Sequence, residues 1–128
     1  MPSKYLKFRG ATYKLADGLD THAVRELGLF LDGEEPLYNS KMRMFVNLAT
    51  KVARGIYDRE KAVKLFEYLV KEAVRMYGGP TETVAFDRAV RRAVAEELRD
   101  EFEAYLKTEA QFLRPEMPKK YRDAPLKL

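Results

Sequence analysis

Arg43, Asn47, Thr50, Lys51 and Arg54 lie on one side of a segment whose other side is apolar. Cations and hydrogen-bonding side chains are combined there, and residues 37–57 contain no acid to compete for a ligand. That is the chemistry of a helix laid on a nucleic-acid backbone or in a groove, where bases meet phosphates and amides or hydroxyls reach base edges. Near the start of the chain, Lys4, Lys7, Arg9 and Lys14 alternate with Tyr5, Phe8 and Tyr13. Rings among bases can stack nucleobases and would extend the same surface. The same rings serve equally to pack a short hairpin onto the rest of the fold.

Charge is segregated along the chain beneath a net charge of +4. Residues 1–16 hold four bases and no acid, and residues 17–36 hold six acids against Arg25. Residues 37–57 hold four bases, Lys41, Arg43, Lys51 and Arg54, and the tail from Arg114 holds five bases and two acids. Three basic blocks can build a phosphate-binding surface. They can also meet the acidic segment Asp32–Glu35 in the fold, within the chain or on a second copy, and be neutralised.

Other chemistry has thin support. There is no cysteine, which excludes disulfides, thiolate metal sites and a cysteine nucleophile. The one histidine, His22, can form neither a histidine-rich metal site nor a triad without a partner nucleophile. Glu96, Glu97, Asp100, Glu101 and Glu103 cluster in one segment, with Glu97 and Glu101 one turn apart at the border of an apolar stripe. Such a pair can hold a hard cation or share a proton. With Arg92 and Arg99 within a turn, the cluster reads instead as a solvated, ion-paired face. Arg88, Arg91 and Arg92 can take phosphate, or pair as Asp87–Arg91 and Arg92–Glu96 one turn apart. Phosphate-loop, dinucleotide and zinc-protease motifs are absent. The expectation is no catalytic residue, no metal and no cofactor.

These side chains need elements to position them. Apolar residues recur every three to four positions in three runs. Met42, Phe45, Leu48, Ala49 and Val52 form the first, closed by Gly55. Ala62, Val63, Phe66, Leu69, Val70, Ala73 and Tyr77 form the second, closed by Gly78-Gly79-Pro80. Phe86, Val90, Ala93, Val94, Leu98, Phe102 and Tyr105 form the third. The pattern predicts a mainly α fold of about four helices, near 21–31, 41–54, 59–77 and 84–107 or to 113. Val24, Leu27 and Leu31 face inward on the first helix. Asp32-Gly33-Glu34-Glu35-Pro36 reads as an acidic loop, after which Ser40 caps the second helix and Asp58 the third. Residues 4–16 predict a small N-terminal β-hairpin turning at Gly10-Ala11. Residues 1–113 form a single helical domain, and 114–128 an extended, basic, Pro-rich tail, ordered only where it docks.

At 128 residues the chain suits one domain. Two serines, two asparagines and one glutamine among many Lys, Arg and Glu suit a heat-adapted protein. No apolar run is long enough for a bilayer, and the first residues carry no signal-peptide pattern, so a soluble, intracellular protein is expected.

Three stretches, Lys4–Tyr13 (KYLKFRGATY), Ala53–Val70 (ARGIYDREKAVKLFEYLV) and Ala89–Leu98 (AVRRAVAEEL), resemble segments of short uncharacterised proteins encoded by tailed phages and viral metagenomes. The resemblance leaves out the Pro-rich tail. It implies a viral origin and a small accessory protein in the host cytoplasm or the virion, and it supplies no catalytic residue. Sequence and resemblance together give two expectations. The first is a non-enzymatic viral accessory protein binding nucleic acid, or a nucleic-acid-processing protein, through its basic surfaces. The second is a protein-interaction or structural module, self-assembling as a homo-oligomer through the fourth helix and the tail.

Overall fold

The structure, a computed structural model, describes residues 5–8, 11–14, 21–77 and 88–128. Strands β1 (Tyr5–Phe8) and β2 (Ala11–Lys14) pair antiparallel, with Tyr5 opposite Lys14 and Phe8 opposite Ala11. Among the described residues four helices follow: α1 (Thr21–Gly33), α2 (Glu35–Ala53), α3 (Arg59–Tyr77) and α4 (Arg88–Thr108). Three 3-10 turns close the chain at Ala110–Phe112, Arg114–Glu116 and Lys119–Tyr121. The fold is a mainly helical bundle in which α4 lies along α3 and α1, α2 packs on α3 and α1, and β1 rests against α1.

The stripes read from the sequence form the core. Val24, Leu27 and Leu31 of α1, Phe45, Leu48, Ala49 and Val52 of α2, and Val90, Val94, Leu98 and Phe102 of α4 are buried together. Phe45 is the hub, meeting Phe66 at 5.9 Å, Phe102 at 5.4 Å and Tyr105 at 5.7 Å between ring centres, all edge-on. That geometry sets positive ring edges against negative faces.

Helix ends follow local chemistry. Gly55 adopts φ +73° and its N–H donates to the Val52 carbonyl, while that of Ile56 donates to Lys51. This is a Schellman closure, which needs a residue tolerant of the left-handed region. The Asp58 carboxylate accepts the N–H groups of Glu60 at 2.9 Å and Lys61 at 3.1 Å and so caps α3. The Lys61 N–H, more than that of Glu60, holds the Asp58 carboxyl below its ordinary pKa.

Two expectations are corrected, and one open choice is decided. The acidic loop shrinks to a bend at Glu34, and α2 begins at Glu35, with Pro36 in its first turn, rather than after Ser40. Proline is preorganised for that position, where its missing N–H costs nothing. The tail is not an extended arm: Leu113 and Met117 are buried and Tyr121 and Leu126 pack on the core, so it wraps the bundle in turns. Lys41 takes the second course open to the basic blocks and pairs with the acidic segment at Asp32. The early start of α2 places it in register with Leu37 and Phe45, and it is 1 % exposed. The expected helix start near residue 84, Phe86 and the Gly78-Gly79-Pro80 break lie outside the described residues. No described helix is long and apolar enough to cross a membrane.

Candidate nucleic-acid interface

Arg43, Asn47, Lys51 and Arg54 are exposed on the outer face of α2, and Thr50 is half-buried among them. The Thr50 hydroxyl donates to the Val46 carbonyl one turn back at 3.0 Å, leaving its oxygen free to accept. Arg43 is steadied by Ser40, whose hydroxyl oxygen accepts from Nη2 at 3.0 Å. Lys51 and Arg54 sit at the C-terminal end of α2, where cations complement the helix dipole.

The opposite wall comes from the tail. Arg114 Nη1 donates to the carbonyls of Arg122 at 2.7 Å and Ala124 at 2.9 Å, and Arg122 Nε donates to the Met117 carbonyl at 3.0 Å. These bonds curl the segment over the buried Met117 anchor. The curl sets Lys119 and Arg122 across from α2, so that Asn47, Thr50, Lys51, Arg54, Lys119 and Arg122 line one groove of about 640 Å³. Glu116 also lines it. Among the described residues, no carboxylate lies within 4.0 Å of the charged nitrogens of Arg43, Lys51, Arg54, Lys119 or Arg122. The acidic segment does not neutralise the α2 face within the chain: Asp32 meets Lys41 at 2.7 Å instead.

The tail's part in this groove was missed in the sequence. A signal was there, since Leu113, Met117 and Tyr121 recur every fourth residue among the prolines. Of the N-terminal bases, Lys4 and Arg9 lie outside the described residues. Lys7 and Lys14 are placed only as strand positions, opposite Thr12 and Tyr5.

Carboxylates elsewhere are committed to structure. Arg92 of α4 meets Glu67 at 2.9 Å, and Glu60 and Glu96 at 3.0 Å each. The hydrogen bonds to Glu67, then Glu96, raise its guanidinium pKa further. Arg59 grips Glu103 at 2.8 Å and reaches Asp100 at 3.5 Å, and Arg99 meets Asp100 at 3.0 Å. Tyr57 donates to Glu103 at 3.2 Å, and burial, then that carboxylate's charge, pushes its phenol up. The acidic stretch of α4 is therefore a part-buried seam against α3 rather than a solvated face. Glu101 holds buried Lys41 at 3.0 Å, and Glu97 is itself buried. Among the described residues, no three carboxylate or imidazole groups gather as a metal site needs. His22 is exposed and faces Glu26 at 3.4 Å.

The seam alters α3 as well. With five bases and three acids in its sequence, it turns Glu60 and Glu67 toward α4, while Lys61, Lys64, Tyr68, Lys71 and Arg75 stay exposed. Arg75 remains paired with Glu72. Lys71 also lines a cleft of about 200 Å³ with Arg88, Arg91, Arg92 and Glu67. Asp87, the partner expected for Arg91, lies outside the described residues. Arg92→Met should lower stability by about 1 kcal/mol and the melting temperature by about 4 °C, a gap that narrows in 1 M salt. Calorimetry at two salt concentrations checks it. The chain matches no protein-family profile, no curated protein and no solved structure.

Proposed function

We propose that the chain is a small, non-enzymatic accessory protein that binds nucleic acid along the groove between α2 and the C-terminal turns. One observation carries the reading. Cations from two distant segments, Lys51 and Arg54 on one side and Lys119 and Arg122 on the other, line a single concave surface without carboxylate partners among the described residues. Unpaired cations beside amide and hydroxyl groups suit a phosphate backbone. Arg43 continues the face, and we also count Lys4, Lys7, Arg9 and Lys14 among the bases of the nucleic-acid surface, on the hairpin whose first strand rests against α1. The resemblance to phage proteins supports a viral origin, with action in the host cytoplasm or the virion. The ion-pair seam between α3 and α4 supports heat adaptation.

Binding of labelled DNA and RNA, measured by fluorescence anisotropy from 50 mM salt upward, tests the proposal. Log affinity should fall linearly with log salt, by about 0.9 per phosphate contact on duplex DNA and about 0.7 on single strands. Protein that ignores single- and double-stranded DNA and RNA at 50 mM salt refutes it. The second reading, an interaction or self-assembling module, draws on the exposed Leu29, Ile56 and Tyr68. They sit on separate elements, and isolated exposed apolar residues are ordinary. Light scattering would favour this reading if mass rose with concentration.

A further inference from the structure

The cationic groove has a neighbour of different chemistry. Toward the start of α2 the surface opens into a second hollow of about 560 Å³, lined by Asn39, Arg43, Asn47 and Phe112 over Met42 and Val46. Val46, Asn47 and Glu116 belong to both hollows, so the two are contiguous. Phe112 is 63 % exposed, although the next residue, Leu113, is 1 % exposed. Backbone bonds from Phe112 to Glu109 at 3.0 Å and from Leu113 to Ala110 at 2.9 Å fix the turn. The buried Leu113 anchors that turn and holds the neighbouring ring at the groove. An aromatic ring displayed in this way, beside two carboxamides and a planar guanidinium, has the components of a base site. The ring offers a stacking face, and Asn39, Asn47 and Arg43 offer donors and acceptors to a base edge.

Resting on the nucleic-acid reading of the groove, we propose that its ligand is a single strand, with the backbone over Lys51, Arg54, Lys119 and Arg122 and an unpaired base stacked on Phe112. A duplex keeps its base faces inside the stack and cannot use the ring. Single-stranded DNA and RNA share this chemistry.

The experiment uses the full chain, a labelled 12-nucleotide DNA strand, RNA of the same sequence and the blunt DNA duplex, with anisotropy read at 50 mM salt. The single strands should bind at least tenfold more tightly than the duplex, and the DNA and RNA arms show which source is preferred. Phe112→Ala should weaken single-strand binding about 5- to 150-fold, the range for loss of one stacked base. It should leave duplex affinity and the melting temperature unchanged, and Phe112→Trp should retain single-strand binding. Equal affinity for strand and duplex, or unaltered strand binding by Phe112→Ala, overturns the stacking site while leaving the phosphate groove standing. Failure to bind any of the three probes overturns both. Self-association that Phe112→Ala abolishes, with no oligonucleotide bound, assigns the ring to a second copy of the chain and also overturns the proposal.

Discussion

Lys41→Ala is expected to cost about 3–5 kcal/mol of folding stability, because it leaves Asp32 and Glu101 facing one another in a part-buried site without their cation. The Lys41 ammonium lies 2.7 Å from Asp32 and 3.0 Å from Glu101, bridging the end of α1 to α4 through α2. It also sits 5.0 Å from the centre of the Tyr38 ring and 5.7 Å from that of Phe45, where cation–π attraction adds to the ion pairs. A buried ammonium is tolerated because its charge is met on several sides. The two carboxylates lose that compensation when it is removed. Removing all three charges together is a different experiment. Lys41→Met with Asp32→Asn and Glu101→Gln should recover most of the loss, since neutral replacement of a whole buried pair is often nearly free. Urea melts of both variants check this. A loss below about 1 kcal/mol for Lys41→Ala would mean that the ammonium reaches water.

Phe66→Ala should be of similar size, about 3–5 kcal/mol, for a different reason. Its ring is 0 % exposed and packs edge-on against Phe45. Deleting it empties space beside the residue on which Phe102 and Tyr105 also lean. Helices on every side limit collapse into that space, so the lost transfer free energy and the cavity both count. Denaturant melts with an unchanged slope but a lowered midpoint would show the native packing as the source. A loss below about 1 kcal/mol would place this face of α3 in solvent.

The helices were legible because their apolar stripes repeat at the helical period, and Gly55 and Asp58 mark ends whose backbone chemistry needs those residue types. The burial of Lys41 is not legible because residue type and position conflict: it stands four residues before Phe45 on the buried stripe, but a lysine reads as surface. The start of α2 was misplaced for a related reason. Glu34, Glu35 and Pro36 look like a loop, whereas an acid and a proline equally suit a first helical turn. The outer face of α2 was readable from helical spacing alone. Its opposite wall was readable only in part: the four-residue spacing of Leu113, Met117 and Tyr121 marks the anchors, but the Arg114 bonds that bring Lys119 and Arg122 to the groove follow no local period. The outward bases of α3 do not follow from its composition, since the pairing of Glu60 and Glu67 with Arg92 sorts the charges by face.

The most direct measurement is the salt dependence of nucleic-acid binding by two charge-reversed proteins, one on each wall of the groove. Lys51→Glu with Arg54→Glu changes the helical wall, and Lys119→Glu, which leaves the bond from Arg122 to the Met117 carbonyl in place, changes the tail wall. If both walls touch one backbone, each variant should weaken binding and flatten the plot of log affinity against log salt, by about two phosphate contacts for the helical wall and about one for the tail wall, with melting temperatures close to wild type. If either variant leaves affinity and slope unchanged while wild-type protein binds, the groove is not the binding surface.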